Sequence, residues 1–187
     1  MEQDLPLSTV KRAQQGYPED LGRLYSYYHQ SVFRYLYYRT GDIQLAEDLT
    51  GDVFIKLVKS LPEINLATTP LQAWLFMVAR NLAIDHFRRN QAHPEVSIHE
   101  NLDGDSLTLD SIVDGQLTSE RLANAISKLD KQQRDVLVFR FIEGMPIQQV
   151  ASILHKSEDA VKSLQRRALM SLRKQLESTE ADRGSAR

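Results

Sequence analysis

The chain has 187 residues, with 23 Lys and Arg against 25 Asp and Glu, 42 % hydrophobic residues and no cysteine. That length holds one medium domain or two small ones, and the composition is that of a soluble globular protein. Lack of cysteine excludes disulfides and thiolate metal sites. No apolar run nears the roughly 20 residues that cross a bilayer, and the start MEQDLPLSTV lacks the basic and apolar parts of a secretory signal, so a cytoplasmic protein without membrane insertion is expected.

The net charge of −2 conceals a segregation. Residues 1–91 carry 10 charges of each sign, residues 92–120 carry 7 acidic and no basic side chains, and residues 121–175 carry 11 basic and 5 acidic ones. A basic module behind an acidic connector points to polyanion binding by the C-terminal part, against the plainer reading of solvated faces.

Strand alternation is absent and helical periodicity recurs, so the fold class is all-α. A first helix spans about Glu19 to Tyr38, with Leu21, Leu24, Tyr28, Val32 and Tyr35 inward. All 7 tyrosines fall between Tyr17 and Tyr38. Filling a small helical core is the favoured reading of them, over stacking on bases. After the turn Thr40-Gly41-Asp42, a second helix from Ile43 to Ser60 presents Leu45, Leu49, Val53 or Phe54, and Leu57 on one face and Glu47, Asp48 and Asp52 on another. Gly51 interrupts it at a cost of about 1 kcal/mol relative to Ala. Leu61 to Pro70 is a loop bracketed by prolines. A third helix, Leu71 to Asn90, carries an apolar stripe of Leu71, Leu75, Val78 and Leu82 beside a polar one of Asn81, Asp85 and Arg88.

Residues 92–117 form an acidic flexible linker between two small helical domains, 1–91 and 118–176, followed by a tail, 177–187. In the second domain, Leu117-Thr118-Ser119-Glu120 offers caps for a helix to Ser127. Asp130 caps another, Lys131 to Ile142, on which Val136, Leu137, Phe139 and Arg140 alternate inside and outside. A short helix, Pro146 to Leu154, starts with proline in its first turn. After His155 and Lys156, Ser157 caps a last helix from Glu158 to about Leu176, with Val161, Leu164, Ala168, Leu169 and Leu172 inward and Lys162, Ser163, Arg166 and Arg167 outward.

A short helix, a tight turn and a longer helix with an exposed row of short polar and basic side chains is the helix-turn-helix plan, whose second helix fits the major groove. A plain helical hairpin with a solvated basic face is the bland alternative. No catalytic residues, cofactor motif or metal ligands emerge. His86, His93 and His99 lie at spacings of 7 and 6, which no helical metal site uses, and no glycine-rich phosphate loop or nucleophile elbow is present.

Three blocks in order, AEDLTGDVFIKLVKSLPEI, PLQAWLFMVARNLAIDHFRRN and ISKLDKQQRDVLVFRFIEGMPIQQVASILHKSEDAVKSLQRRALMSLRKQL, resemble the extracytoplasmic-function group of the sigma-70 family. The resemblance covers about residues 10–90 and 117–176. It implies a transcription initiation factor, not an enzyme, that binds core RNA polymerase and promoter DNA without a cofactor. Region 2 would read the minus-10 element and region 4 the minus-35 element.

By the same resemblance, Asp48, Asp52, Leu49 and Phe54 would meet the clamp coiled coil of the polymerase largest subunit. The loop, with Ile64 and Asn65, and the third helix, with Arg80, Asn81, Asp85, Arg88 and Arg89, would hold minus-10 DNA and a base flipped from the non-template strand. Lys156, Ser157, Lys162, Ser163, Arg166 and Arg167 would meet minus-35 DNA. An anti-sigma factor is a further implied partner. The chain departs from the family pattern where the loop reads Ile64-Asn65-Leu66-Ala67 without its usual aromatic and glycine, at Gly51 where glutamine is usual, and at Leu164 where arginine is common. The competing reading from the residues is a stand-alone helix-turn-helix regulator with an N-terminal sensor or dimerisation domain, which would bind its operator without polymerase.

Overall fold

The computed structural model describes residues 5–92, 122 and 125–184; all of the acidic linker beyond its first residue, and the capping segment 117–120, lie outside them. Among the described residues all regular structure is helical. Helix α1 (Leu7–Gln14) precedes the first helix expected from the sequence. It docks through buried Val10 and Ala13, and Arg12 Nε sits 2.6 Å from Asp20, a buried carboxylate in the first turn of α2.

Helix α2 (Pro18–Thr40) opens with proline at a position whose N–H would have no intrahelical partner. It stops at Gly41, whose φ of 74° is the left-handed conformation that glycine adopts without penalty, and the Gly41 N–H donates to Tyr37 O at 2.8 Å. Asp42 then caps α3 (Ile43–Ser60) by accepting from Leu45 N at 3.0 Å. A single 3-10 turn, Leu61–Glu63, begins the loop, and α4 (Leu71–Ala92) follows it. The apolar faces of these helices meet at Leu24, Val32 and Leu36 from α2, Val53 and Leu57 from α3, and Leu75, Phe76 and Ala79 from α4.

The C-terminal group opens with helical residues 125–127, which carry buried Ala125 and Ile126 and end where the expected helix ends at Ser127. Next comes α5 (Lys131–Leu137), capped by Asp130, which accepts from Gln132 N and Gln133 N. The helix then widens into a π turn over Val138–Ile142. Val136, Leu137, Val138 and Phe139 are all buried, so the expected alternation fails. This segment is covered on several sides, and the wider turn rephases the residues after it. Pro146 caps α6 (Ile147–Leu154) from outside the helix, and His155 makes the tight turn in the left-handed region at φ 52°. Helix α7 begins at Glu158, with Ser157 Oγ accepting from Ala160 N at 3.2 Å, and runs to Gly184, well past the expected end near Leu176.

The two helical groups share a seam. The Phe139 ring stacks on Tyr35 at 4.8 Å and meets Phe76 edge-on at 5.6 Å, and all three rings are fully buried. Burial of such a ring contributes about 1.5–3 kcal/mol. Helix α6 packs against α4 and α5 against α2, which puts one continuous core behind both groups.

Candidate protein-binding and nucleic-acid surfaces

On α3, Asp48 and Asp52 are exposed one turn apart, as the sequence led us to expect. Leu49 and Phe54 are not beside them. At 6 % and 7 % exposure both belong to the core, so as contact residues they are corrected to packing residues. Phe54 lies edge-on to Tyr25 at 4.8 Å. Apart from Ile43 at its first residue, the apolar groups α3 does present are Ile55 and Val58, 54 % and 55 % exposed. Ile55 follows Asp48 and Asp52 at helical spacing, giving a stripe that is carboxylate at one end and aliphatic at the other. The available signal was that Ile55 and Val58 fall off the core period. Gly51 lies on the same side, and a Cβ built there would meet nothing within 4 Å. No close approach within the described chain accounts for this glycine.

The loop after α3 is ordered by its own hydrogen bonds. Asn65 Oδ1 accepts from Ala67 N at 3.0 Å, and Asn65 O accepts from Thr68 N and Thr69 N at 3.1 and 2.9 Å. With its side-chain oxygen so engaged, exposed Asn65 has its amide N–H groups to offer outward. Ile64 is half-buried. On α4, Asn81, Arg88 and Arg89 are exposed, and half-buried Asp85 pairs with Arg88 at 3.2 Å.

Arg80 does not join that row. It is only 17 % exposed, and its Nε donates to Asp135 Oδ2 at 3.2 Å across the seam. The expectation that it tracks DNA phosphates is corrected for this arrangement, because the guanidinium already neutralises a carboxylate from the other group.

Asp135 is the centre of the seam's polar part. Its Oδ1 accepts from Tyr35 Oη and Arg39 Nη1, each at 3.0 Å. Burial pushes this carboxyl above its ordinary range, opposed by the cations of Arg39 and Arg80. Burial also raises the Tyr35 phenol, with the Asp135 charge adding to it. Arg39 Nε is buried without a hydrogen-bond partner, so the network carries an unmet desolvation cost. Beside it, Arg134 donates to Tyr38 O and Arg39 O at 3.1 and 3.0 Å, capping the end of α2 with a cation from α5. Arg34 donates twice to Glu143 Oε1, at 3.0 and 2.8 Å, and burial raises the Glu143 carboxyl against that cation. These residues went unrecognised in the sequence, where nothing pairs positions so far apart.

On α7, Val161, Leu164 and Ala168 are buried, while Lys162, Ser163, Arg166 and Arg167 stand exposed in a row. Leu169, expected inward, is partly exposed next to Met170. Half-buried Lys156 and exposed Ser157 sit at the turn that leads into this row. An exposed face of cations and one short hydroxyl on a helix that follows a tight turn can enter a groove and meet phosphates and base edges.

Residues 24–93 match the family model Sigma-70 region 2, and residues 125–174 match Sigma-70, region 4. The chain belongs to the sigma-70 family. It falls in the extracytoplasmic-function group, and its function is promoter-directed transcription initiation. It is similar to the extracytoplasmic-function RNA polymerase sigma factor BldN of Streptomyces coelicolor, 35 % identical over 169 residues, which are 89 % of this chain and 64 % of BldN. The chain thus spans less than two thirds of that relative's length. SigX of Bacillus subtilis is 34 % identical over 164 residues, covering 82 % of each chain. Two solved structures share the fold. They are CnrH in complex with the cytosolic domain of CnrY (22 % identity, TM-score 0.69, 91 % of this chain and 96 % of that one) and RpoE with the anti-sigma factor NepR from Bartonella quintana (21 %, 0.67, 85 % and 98 %).

The family is one of sigma factors, which are not enzymes in general. Among the described residues, no helix is long and apolar enough to cross a membrane, and no group of three or more His, Cys, Asp or Glu could hold a metal.

Proposed function

We propose that this sigma factor divides its work among three exposed surfaces and acts in the cytoplasm, where it meets RNA polymerase. The carrying observation is the α3 stripe, in which exposed Asp48 and Asp52 adjoin exposed Ile55 and Val58. Such a stripe suits a basic helical partner whose apolar side also needs cover, and the clamp coiled coil of the polymerase largest subunit is that partner. Loop 61–70 and the Asn81, Arg88 and Arg89 side of α4 take the minus-10 element and hold an unstacked base. Capture of a base already extruded is worth about 1–3 kcal/mol of stacking, so melting is biased without covalent chemistry. The α7 row of Lys162, Ser163, Arg166 and Arg167, with Lys156 and Ser157 at its start, takes the minus-35 element. An anti-sigma factor completes the partners, in keeping with the similar structure of RpoE, which holds the anti-sigma factor NepR.

The test is runoff transcription on a promoter library with core polymerase and the full chain, beside gel-shift binding by the chain alone. Specific transcripts that need both components are the expected result. Tight specific binding without polymerase, and no initiation with it, would overturn the proposal.

A further inference from the structure

We propose that Gln14 is a positioning residue for loop 61–70, and through that loop for the promoter base it captures. The inference rests on the proposed capture of a base by this loop. Gln14 lies at the end of α1, ahead of residues 24–93 that match region 2. Its Nε2 is 3.0 Å from Leu61 O and 2.9 Å from Ile64 O. Only the nitrogen end of a side-chain amide can satisfy two carbonyl oxygens, so its orientation follows from the chemistry. Both hydrogens of the NH2 group are used.

The two carbonyls bracket the 3-10 turn at the root of the loop. The Ile64 carbonyl shares a rigid peptide plane with the nitrogen of Asn65. Holding that oxygen therefore sets the direction in which Asn65 leaves the turn. From there the loop braces itself through the bonds that Asn65 accepts from Ala67, Thr68 and Thr69. Internal bracing fixes the loop's shape, and Gln14 fixes where that shape points. The anchor is itself held, because Arg12 on the same helix is paired with buried Asp20 and Val10 and Ala13 are buried against the rest of the group. A base pocket made before the base arrives avoids paying for loop ordering on binding, and the avoided cost shows as discrimination between bases.

The test uses the full chain with core polymerase on templates that differ only in single minus-10 bases, with core affinity and minus-35 preference measured in parallel. Gln14→Glu keeps the shape and turns a donor pair into an acceptor facing two carbonyls. It should lower the ratio of transcription between best and worst base by about tenfold, the worth of one to two hydrogen bonds, with core affinity unchanged. Gln14→Lys retains donors and should restore much of that ratio, which a merely structural role would not predict. Asn65→Ala, in the loop itself, should also lower it. If Asn65→Ala lowers the ratio and Gln14→Glu does not, the loop reads a base without this support and the inference is overturned alone. If neither changes the ratio, the base-capture reading falls and takes the inference with it. If Gln14→Glu weakens core affinity and minus-35 use in parallel with the ratio, Gln14 serves folding in general and the inference is again overturned.

Discussion

Arg39 and Asp135 lie 3.0 Å apart, and Lys162 and Asp159 lie 3.1 Å apart. The first pair is buried in the seam between the helical groups, while the second stands in solvent on the proposed recognition helix. Near-equal distances thus conceal unequal consequences. A buried ion has surrendered its hydration and depends on its partners, so its pairing dictates where α5 lies against α2 and α4. An exposed ion keeps its hydration and can exchange a protein partner for a phosphate at little cost. The buried charges set the arrangement of the chain, and the exposed ones remain available for partners.

Removing the centre of the buried set is the strongest way to break this contrast. Asp135→Ala strands the Arg39 and Arg80 cations, and should cost about 3–5 kcal/mol in denaturant unfolding, with solution scattering reporting whether the groups also separate. An unchanged midpoint and unchanged scattering would refute the ionic seam. Arg167→Ala touches only the exposed row. It should cost about 1–3 kcal/mol in use of minus-35 DNA while leaving stability alone, and undiminished transcription from duplex promoters would remove Arg167 from the interface. Asp48→Lys should weaken core polymerase binding about tenfold, near 1.4 kcal/mol, without altering the fold; titration of labelled chain against core polymerase decides it. The smallest stability effect belongs to Asp159→Ala, which should change the unfolding free energy by less than about 1 kcal/mol.

The contrast also predicts a dependence on pH. Burial holds the Asp135 and Glu143 carboxyls above the ordinary range of about 4, so the closed form binds their protons more tightly than an open or unfolded chain. Their contribution is fully present below that ordinary range and is lost as pH rises through the raised values. Unfolding midpoints measured upward from the ordinary carboxylate range should therefore show a fall that Asp135→Asn flattens. A rise across the same window, indifferent to that substitution, would contradict the assignment.

Much of the scaffold was legible because α3, α4 and α7 each carry a long apolar stripe, and α3 and α7 start behind the cap residues Asp42 and Ser157. Helix α1 is as long as α6 but escaped because it buries only Thr9, Val10 and Ala13, a small and partly polar set, where α6 buries Val150, Ala151, Ile153 and Leu154. The seam escaped for a different reason. Arg39 and Asp135 are 96 residues apart, and Arg80 and Asp135 are 55 apart, so no local pattern joins them. The polar row of α7 was legible because charge segregation and periodicity agree there. On α3, the family resemblance suggested Leu49 and Phe54 as contacts, but both are buried, and the exposed apolar side chains beside the carboxylates are Ile55 and Val58.

Two features meet in the middle of α3. Thr50 Oγ1 donates to Ala46 O at 2.6 Å, competing for a carbonyl of the helix ladder, and the next residue is Gly51, with no side chain to screen its backbone. Both loosen the same turn. Amide hydrogens there should exchange with solvent faster than those near Val53 and Leu57, and slow when polymerase is bound.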